Sequence, residues 1–469
     1  MLVGHSLVYA LARGVPGIVN FLAIAVYTRL LVPDEYGAYS LALASVALAD
    51  SFLFHWLRLG LLRFLPADGP SRSGFLASVR TVFLLASAGL LVLVLLLSPL
   101  LGRWLPPGLL LASVFLLVTQ GFFELNLEVV RSGLTPARYG LLATVRSVLS
   151  LGFGALLAWL GYGAAGLVGG IALGMLLSLL LLAQWRNWPR AADWRPDAAV
   201  TRRLFHYGLP LAVTFALGFI VSTSDRFLLG WFLGTDATGL YAVGYDLSQF
   251  TVMMVLSIVN LASYPLIVRA MEETGAAAAR QHMSLTLLLL LGVGLPVTLV
   301  LVLLPGPIAG IVAGPDFRAT AAAVIPWIAV SVLLSGIKAF YVDVGFQLGE
   351  RTAMQAWVML LAAVLNVGLN VWLIPVHGLY GAIWSTLVVY VVALLSSLWL
   401  VRSTFPLPRL HPDVWRVLAA NAVLALVVIL LPDPASLTRF LLTLLATGAA
   451  YGLSLLLLVP RLRSWRTGL

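Results

Sequence analysis

Long apolar runs separated by short polar breaks dominate the chain. Stretches bounded by charges or by Pro/Gly clusters fall near residues 5–31, 38–60, 75–98, 108–130, 140–160, 163–184, 204–224, 239–267, 284–304, 319–346, 354–375, 379–401, 414–431 and 439–459. Most reach the roughly 20 residues a helix needs to cross the hydrocarbon core of a bilayer. A segment in lipid must satisfy its backbone groups internally, so each run predicts a helix. The pattern therefore predicts an all-α polytopic membrane protein of about fourteen transmembrane helices. The even count places both termini on one side.

Composition sharpens this reading. The chain is 61% hydrophobic and 10% charged, with a mean hydropathy of +1.03, whereas soluble domains are about half apolar and a quarter charged. An ordinary soluble protein is excluded. No connection approaches the roughly 50 residues of a small folded domain, so function is expected within the helices. Met1 to Val15 lacks a basic leader region and a small-residue cleavage site, and is read as part of the first span. With no cysteine, disulfides, thiolate metal sites and cysteine nucleophiles are excluded. No catalytic constellation, metal site or cofactor motif stands out. The single lysine, Lys338, is followed by Ala339, so there is no nucleotide-binding phosphate loop.

The net charge of +10 would suggest nucleic acid in a soluble protein; here it reports orientation, because basic residues flanking spans stay in the cytoplasm. With a cytoplasmic N-terminus, the inside connections carry Arg63, Arg72, Arg131, Arg138, Arg186, Arg190, Arg195, Arg202, Arg203, Arg269, Arg280, Arg351, Arg402, Arg409, Arg461, Arg463 and Arg466. The outside connections carry Arg103, Arg226 and Arg318. Both termini are expected in the cytoplasm. The longest connection, Trp185 to Arg203, holds three tryptophans and five arginines. That composition suits either a segment lying on an anionic leaflet or a solvated linker with interfacial Trp anchors.

An internal repeat divides the spans. Asp34-Glu35-Tyr36-Gly37-Ala38-Tyr39 and Asp236-Ala237-Thr238-Gly239-Leu240-Tyr241 share D-x-x-G-x-Y at the entrances to the second and eighth spans. The motif suggests an Asp cap, a Gly for tight entry and an interfacial Tyr. Trp159-Leu160 before Gly163-Ala164-Ala165-Gly166 and Trp372-Leu373 before Gly378-Leu379-Tyr380-Gly381 form a second pair, again six spans apart. A shift of six spans preserves direction and implies a parallel repeat. The expected organisation is an N-terminal lobe at 1–184 (spans 1–6), a cytoplasmic linker at 185–203, a C-terminal lobe at 204–401 (spans 7–12), and two further helices with a basic tail at 402–469.

Charges inside spans cost about 2.5–3.5 kcal/mol at the helix centre on insertion scales, so they face partners or wet cavities. Arg13, Asp50, His55, Arg58, Arg80, Glu124, Glu128 and Arg146 lie almost entirely in the inward half of the first lobe, with Asp50 nearer the middle. Gln120, Glu124 and Glu128 recur every four residues on one face, and Arg13 and Asn20 lie two turns apart around Pro16-Gly17, marking the first helix as a candidate bent gate. The second lobe is sparser, with Asp246, Lys338 and Asp343, and with Asn366 and Asn370 on one face as candidate interhelical glue. Arg58, Arg80 and Arg146 lie near enough to cytoplasmic ends to snorkel, and either glutamate could neutralise one of them.

Tyr27-Thr28-Arg29-Leu30-Leu31-Val32-Pro33-Asp34-Glu35-Tyr36-Gly37, Ser224-Asp225-Arg226-Phe227-Leu228-Leu229-Gly230 leading to Gly239-Leu240-Tyr241, and Leu373-Ile374-Pro375 with Gly378 and Gly381 together resemble the polysaccharide and O-antigen flippases of the multidrug/oligosaccharidyl-lipid/polysaccharide exporter superfamily. The resemblance implies two pseudo-symmetric six-helix lobes around a central cavity that opens alternately to each side of a bacterial inner membrane. The implied cargo is an undecaprenyl-diphosphate-linked oligosaccharide, moved outward for surface polysaccharide assembly, with membrane lipids and the assembly machinery as partners. Arginine's fork of donors suits a diphosphate. Arg13, Lys338, Arg58, Arg80, Arg146 and Asn20 are the candidate cargo-binding residues, Arg13 matching the family's cavity arginines by helix and depth. Asp50, Glu124, Glu128 and Asp246 are candidates for coupling to H+ or Na+. Two rivals stand beside this reading: an ion-coupled drug or organic-cation antiporter of the same superfamily, and a membrane enzyme acting on lipid-linked sugars.

Overall fold

A computed structural model of the chain describes residues 17–65, 70–101, 106–133, 135–182, 188, 195–434 and 436–458. The described residues form helices and connections, with no strand among them. In chain order these are α1 (Gly17–Leu30), α2 (Pro33–Leu53), α3 (His55–Phe64), α4 (Pro70–Leu101), α5 (Pro107–Ser132), α6 (Pro136–Leu157), α7 (Gly163–Leu181) and α8 (Ala198–Leu233). There follow α9 (Thr235–Glu273), α10 (Ala276–Leu303), α11 (Pro305–Val312), α12 (Arg318–Ile337), α13 (Asp343–Leu348), α14 (Thr352–His377), α15 (Leu379–Val401), α16 (Val414–Leu430) and α17 (Leu437–Leu458).

Every predicted apolar stretch carries helix over its described part. Two are subdivided: 38–60 breaks at Phe54 between α2 and α3, and 319–346 passes through a wide five-residue turn, Lys338–Val342, between α12 and α13. Ten helical segments among the described residues are long and apolar enough to cross a membrane, the segment 137–181 containing both α6 and α7. The outward faces agree. Leu85, Leu95 and Leu96 on α4 and Leu442, Leu445 and Leu457 on α17 are all exposed. Apolar faces of that extent require lipid rather than water. The protein is a multi-pass membrane protein.

The helices form two compact units, Met1–Gly239 and Leu240–Leu469. In the first, α7 packs closely on α5 and α6. A Cβ at Gly170 or Gly174 would come within 2.4 or 2.3 Å of the α6 backbone, so these positions set the contact distance. Phe54, Phe83, Phe123, Leu57 and Leu116 fill the core. α8 packs on α2, α3 and α4, so the helix covering 204–224 lies by contact in this unit. In the second unit α14 pairs with α15, α12 with α10 and α15, and α16 with α10 and α17.

The repeated motifs adopt matching local structures. Gly163 (φ 54, ψ −142) and Gly378 (φ 59, ψ −135) occupy the same region of backbone space at the starts of α7 and α15. Only glycine takes that region readily, which explains the residue at both places. The D-x-x-G-x-Y pair requires correction. Asp34 lies inside the first turn of α2, whose N-cap is Val32, and its carboxylate accepts a hydrogen bond from the Thr235 hydroxyl rather than capping its own helix. Gly37 and Gly239 provide close approach: a Cβ on Gly37 would lie 1.8 Å from the Thr235 carbonyl oxygen, and one on Gly239 would lie 2.1 Å from that of Pro33. Tyr241 is fully buried, not interfacial. Trp188 likewise is no surface anchor, since its buried indole donates to Asn126 Oδ1 at 2.8 Å.

Candidate functional site

Most of the intramembrane charges of the first unit converge on one network. Phe54 (φ −125, ψ −23) interrupts the helix, and its buried ring sits against Gly121 and Phe83. On an unbroken helix eight residues would rise about 12 Å. The interruption lets Arg58 fold back on Asp50, donating from both terminal nitrogens at 3.2 and 2.6 Å. The same guanidinium meets His55 Nδ1 at 2.8 Å. Guanidinium has only donors, so Nδ1 accepts and the ring hydrogen resides on Nε2.

From α5, Glu124 accepts from Arg146 of α6 at 2.9 Å, and that guanidinium lies 5.0 Å from the centre of the Phe123 ring. One turn further, Glu128 is 3.5 Å from Arg131, and its Oε2 is buried without a hydrogen bond. Glu124 lies within electrostatic reach of Asp50, His55 and Glu128, and Glu128 within reach of Arg58. Three carboxylates and three guanidiniums thus balance, which is how charge is tolerated away from water. The Arg58–Asp50 pair is the inner part, at 12% and 8% exposure, while Arg146 and Glu124 keep 29% and 26%. The outer pair can therefore exchange partners more easily.

Arg80 lies on α4. It lines a cavity of about 330 Å³ with Phe83, Thr119, Phe122 and Trp188. Asn20 lies on the exposed face of α1. Arg13, the bend expected at Pro16, and the two outer tryptophans of the 185–203 connection lie outside the described residues.

In the second unit Lys338 is 4% exposed, and its Nζ donates to Asp343 Oδ2 at 2.7 Å. Gln355 Nε2 donates to the same oxygen at 3.3 Å, and Ser397 donates to Oδ1 at 3.2 Å. Residues five apart diverge around a regular α-helix, but the wide turn at Lys338–Val342 brings these two together. Sequence reasoning named both residues without pairing them, because i,i+5 is not a helical contact spacing. Asp246 is half-buried on α9. Asn370 donates to Asn366 Oδ1 at 3.1 Å and Ser385 to the Asn366 carbonyl at 3.3 Å, a polar seam between α14 and α15. Sequence reasoning also ended a span near residue 224, whereas α8 continues to Leu233 and Arg226 donates to Ser40 of α2 at 3.1 Å.

Solved structures of similar fold include membrane transport proteins. Lipid II flippase MurJ in an inward closed conformation superposes with a TM-score of 0.75 at 13% identity, covering 97% of this chain and 99% of that one. An inward-facing multidrug resistance MATE transporter of the MOP superfamily gives 0.65 at 14% identity, with 84% and 98% covered. A MOP superfamily transporter from Pyrococcus furiosus, described as having reversed binding-pocket polarity, gives 0.56 at 13% identity, with 85% and 95% covered. Among curated protein sequences none matches this chain.

The chain shares its fold with these solved structures, two of which are described as MOP superfamily transporters. Residues 26–322, more than half of the chain, match the sequence model of the polysaccharide biosynthesis protein family, and the chain belongs to that family.

Proposed function

We propose that the protein flips an undecaprenyl-diphosphate-linked oligosaccharide from the cytoplasmic to the outer leaflet of a bacterial inner membrane by alternating access, supplying surface polysaccharide assembly. The observation that carries this reading is the half-buried network of Arg58, Arg146 and Arg131 in a member of a polysaccharide biosynthesis family. Guanidiniums held by carboxylates inside a helix bundle can be lent to a diphosphate and returned, so the anionic head gains partners that the apoprotein keeps neutralised. The lipid tail stays in the bilayer while the polar head crosses. This is transport without a covalent step, and no residue is assigned a catalytic role.

In this reading the lobes at 1–184 and 204–401 form the transport core, with both termini cytoplasmic. Arg13, Arg58, Arg80, Arg146 and Asn20 serve the cargo, and Lys338 does so by exchanging Asp343 for phosphate. Among the coupling candidates Asp50, Glu124, Glu128 and Asp246, Glu128 is held most loosely by its partner, because its buried Oε2 faces Arg131 at 3.5 Å without a hydrogen bond.

Export in cells tests the reading. Arg13→Ala combined with Lys338→Ala is expected to reduce surface glycan and to trap lipid-linked precursor on the cytoplasmic side. Normal export with no trapped precursor overturns the cargo assignment.

A further inference from the structure

A second basic site lies in the Leu240–Leu469 unit. Arg280, Gln281 and Ser284 lie on one face of α10, and with Arg409 and His411 of the 402–413 connection they line an open groove of about 700 Å³. Two contacts hold the connection against the helix: Ser284 Oγ donates to the Arg409 carbonyl at 3.4 Å, and the Arg280 guanidinium lies 5.7 Å from the centre of the buried Phe405 ring. Pro406 and Pro408 stiffen the segment between them.

The chemistry of the groove is one-sided. No Asp or Glu lines it among the described residues, and neither Arg280 nor Arg409 has a carboxylate within ion-pair distance there. The nearby acid, Asp413, is buried and engaged by Arg416. Its backbone N–H donates to His411 Nδ1 at 3.2 Å, which leaves the imidazole hydrogen on Nε2 as a donor. Arg280, Arg409 and Gln281 therefore offer donors with no carboxylate paired to either guanidinium, and His411 adds Nε2–H, its Nδ1 side facing Asp413 at 3.6 Å. An organic cation would find no partner here, whereas a phosphate would find two guanidiniums, the donor geometry that recognises it best.

Position favours a lipid as the source of that phosphate. α10 starts, and α15 gives way to α16, on the membrane face that the arginine asymmetry assigns to the cytoplasm. Leu285, the residue after Ser284, is exposed on the groove wall, and Leu407 joins it, so acyl chains have an apolar surface beside the donors. We propose that this groove binds the phosphate of an anionic phospholipid headgroup. The assignment does not rest on the transport reading, because it concerns occupancy of a separate site and can be measured with no cargo present.

The test uses the full chain purified in nonionic detergent and titrated with three probes: dihexanoyl phosphatidylglycerol, glycerol phosphate and dihexanoylglycerol. Phosphatidylglycerol is expected to bind saturably. Arg280→Gln with Arg409→Gln should weaken it at least about tenfold, a loss of about 1.4 kcal/mol. Arg409→Gln alone, at an exposed side chain, should weaken it by a smaller factor without affecting the fold. Arg269→Gln, at an exposed arginine of the same face paired with Glu273, should leave it unchanged. Phosphatidylglycerol binding without glycerol phosphate binding supports the lipid source, and equal binding of both overturns that source in favour of a soluble phosphate. Undiminished phosphatidylglycerol binding by the double variant, or equal binding of dihexanoylglycerol, overturns the site.

Discussion

Arg58 and Asp50 show how the energetics of this bundle concentrate in a few side chains. At 12% and 8% exposure, removing either partner strands a charge away from water, which costs about 3–5 kcal/mol. Arg58→Met and Asp50→Leu should each lower the unfolding midpoint in detergent sharply, and the double variant should lie closer to wild type than either single. A double variant as damaged as the sum of the singles would mean the two groups act independently. The Lys338–Asp343 pair should behave alike, with Lys338→Met costing more than the more exposed Arg146→Met, whose pair keeps over a quarter of its surface. Sequence reading found these residues because any ionisable group in an apolar run stands out. Their partners were hidden, since the Phe54 break and the wide turn at Lys338–Val342 make contacts at spacings of eight and five residues that no regular helix offers.

At the scale of elements, small residues set how closely helices approach. Gly37→Ala would place a methyl 1.8 Å from the Thr235 carbonyl oxygen, forcing backbone apart from backbone. It is expected to cost about 1–3 kcal/mol. Gly89→Ala, where nothing lies within 4 Å of the added carbon, should instead gain about 0.5–1 kcal/mol from reduced backbone entropy and better helix propensity. Thermal melts of the two variants in one detergent check the pair of signs; equal shifts would deny Gly37 its role in close packing. The D-x-x-G-x-Y repeat was visible in the sequence, but its function was misassigned. Local rules supply caps and turns, whereas Asp34 and Gly37 serve a partner about 200 residues away, at Thr235 and Gly239. The other pair was legible on local grounds alone, because Gly163 and Gly378 answer to their own backbone angles.

The whole molecule was legible where hydropathy alone decides. All fourteen apolar stretches carry helix over their described parts, because a span in lipid has no other way to satisfy its backbone. The contact boundary at Gly239 was not legible, because lipid-facing and protein-facing surfaces of a span are equally apolar and hydropathy cannot say which helix packs on which. Orientation rests on a different signal, the crowding of arginines on alternate connections, and it can be tested without background because the chain has no cysteine. Ser403 and Asp433 are both exposed and lie in successive connections, before α16 and after it. If the arginines mark the cytoplasm, Asp433→Cys should react with a membrane-impermeant maleimide added outside intact spheroplasts, and Ser403→Cys should react only after lysis. The reverse pattern would invert the orientation and move the basic network of α2, α3, α5 and α6 to the face where a precursor made in the cytoplasm would leave rather than enter. The labelling thus tests the inward-facing role of Arg58 and Arg146 as directly as it tests topology.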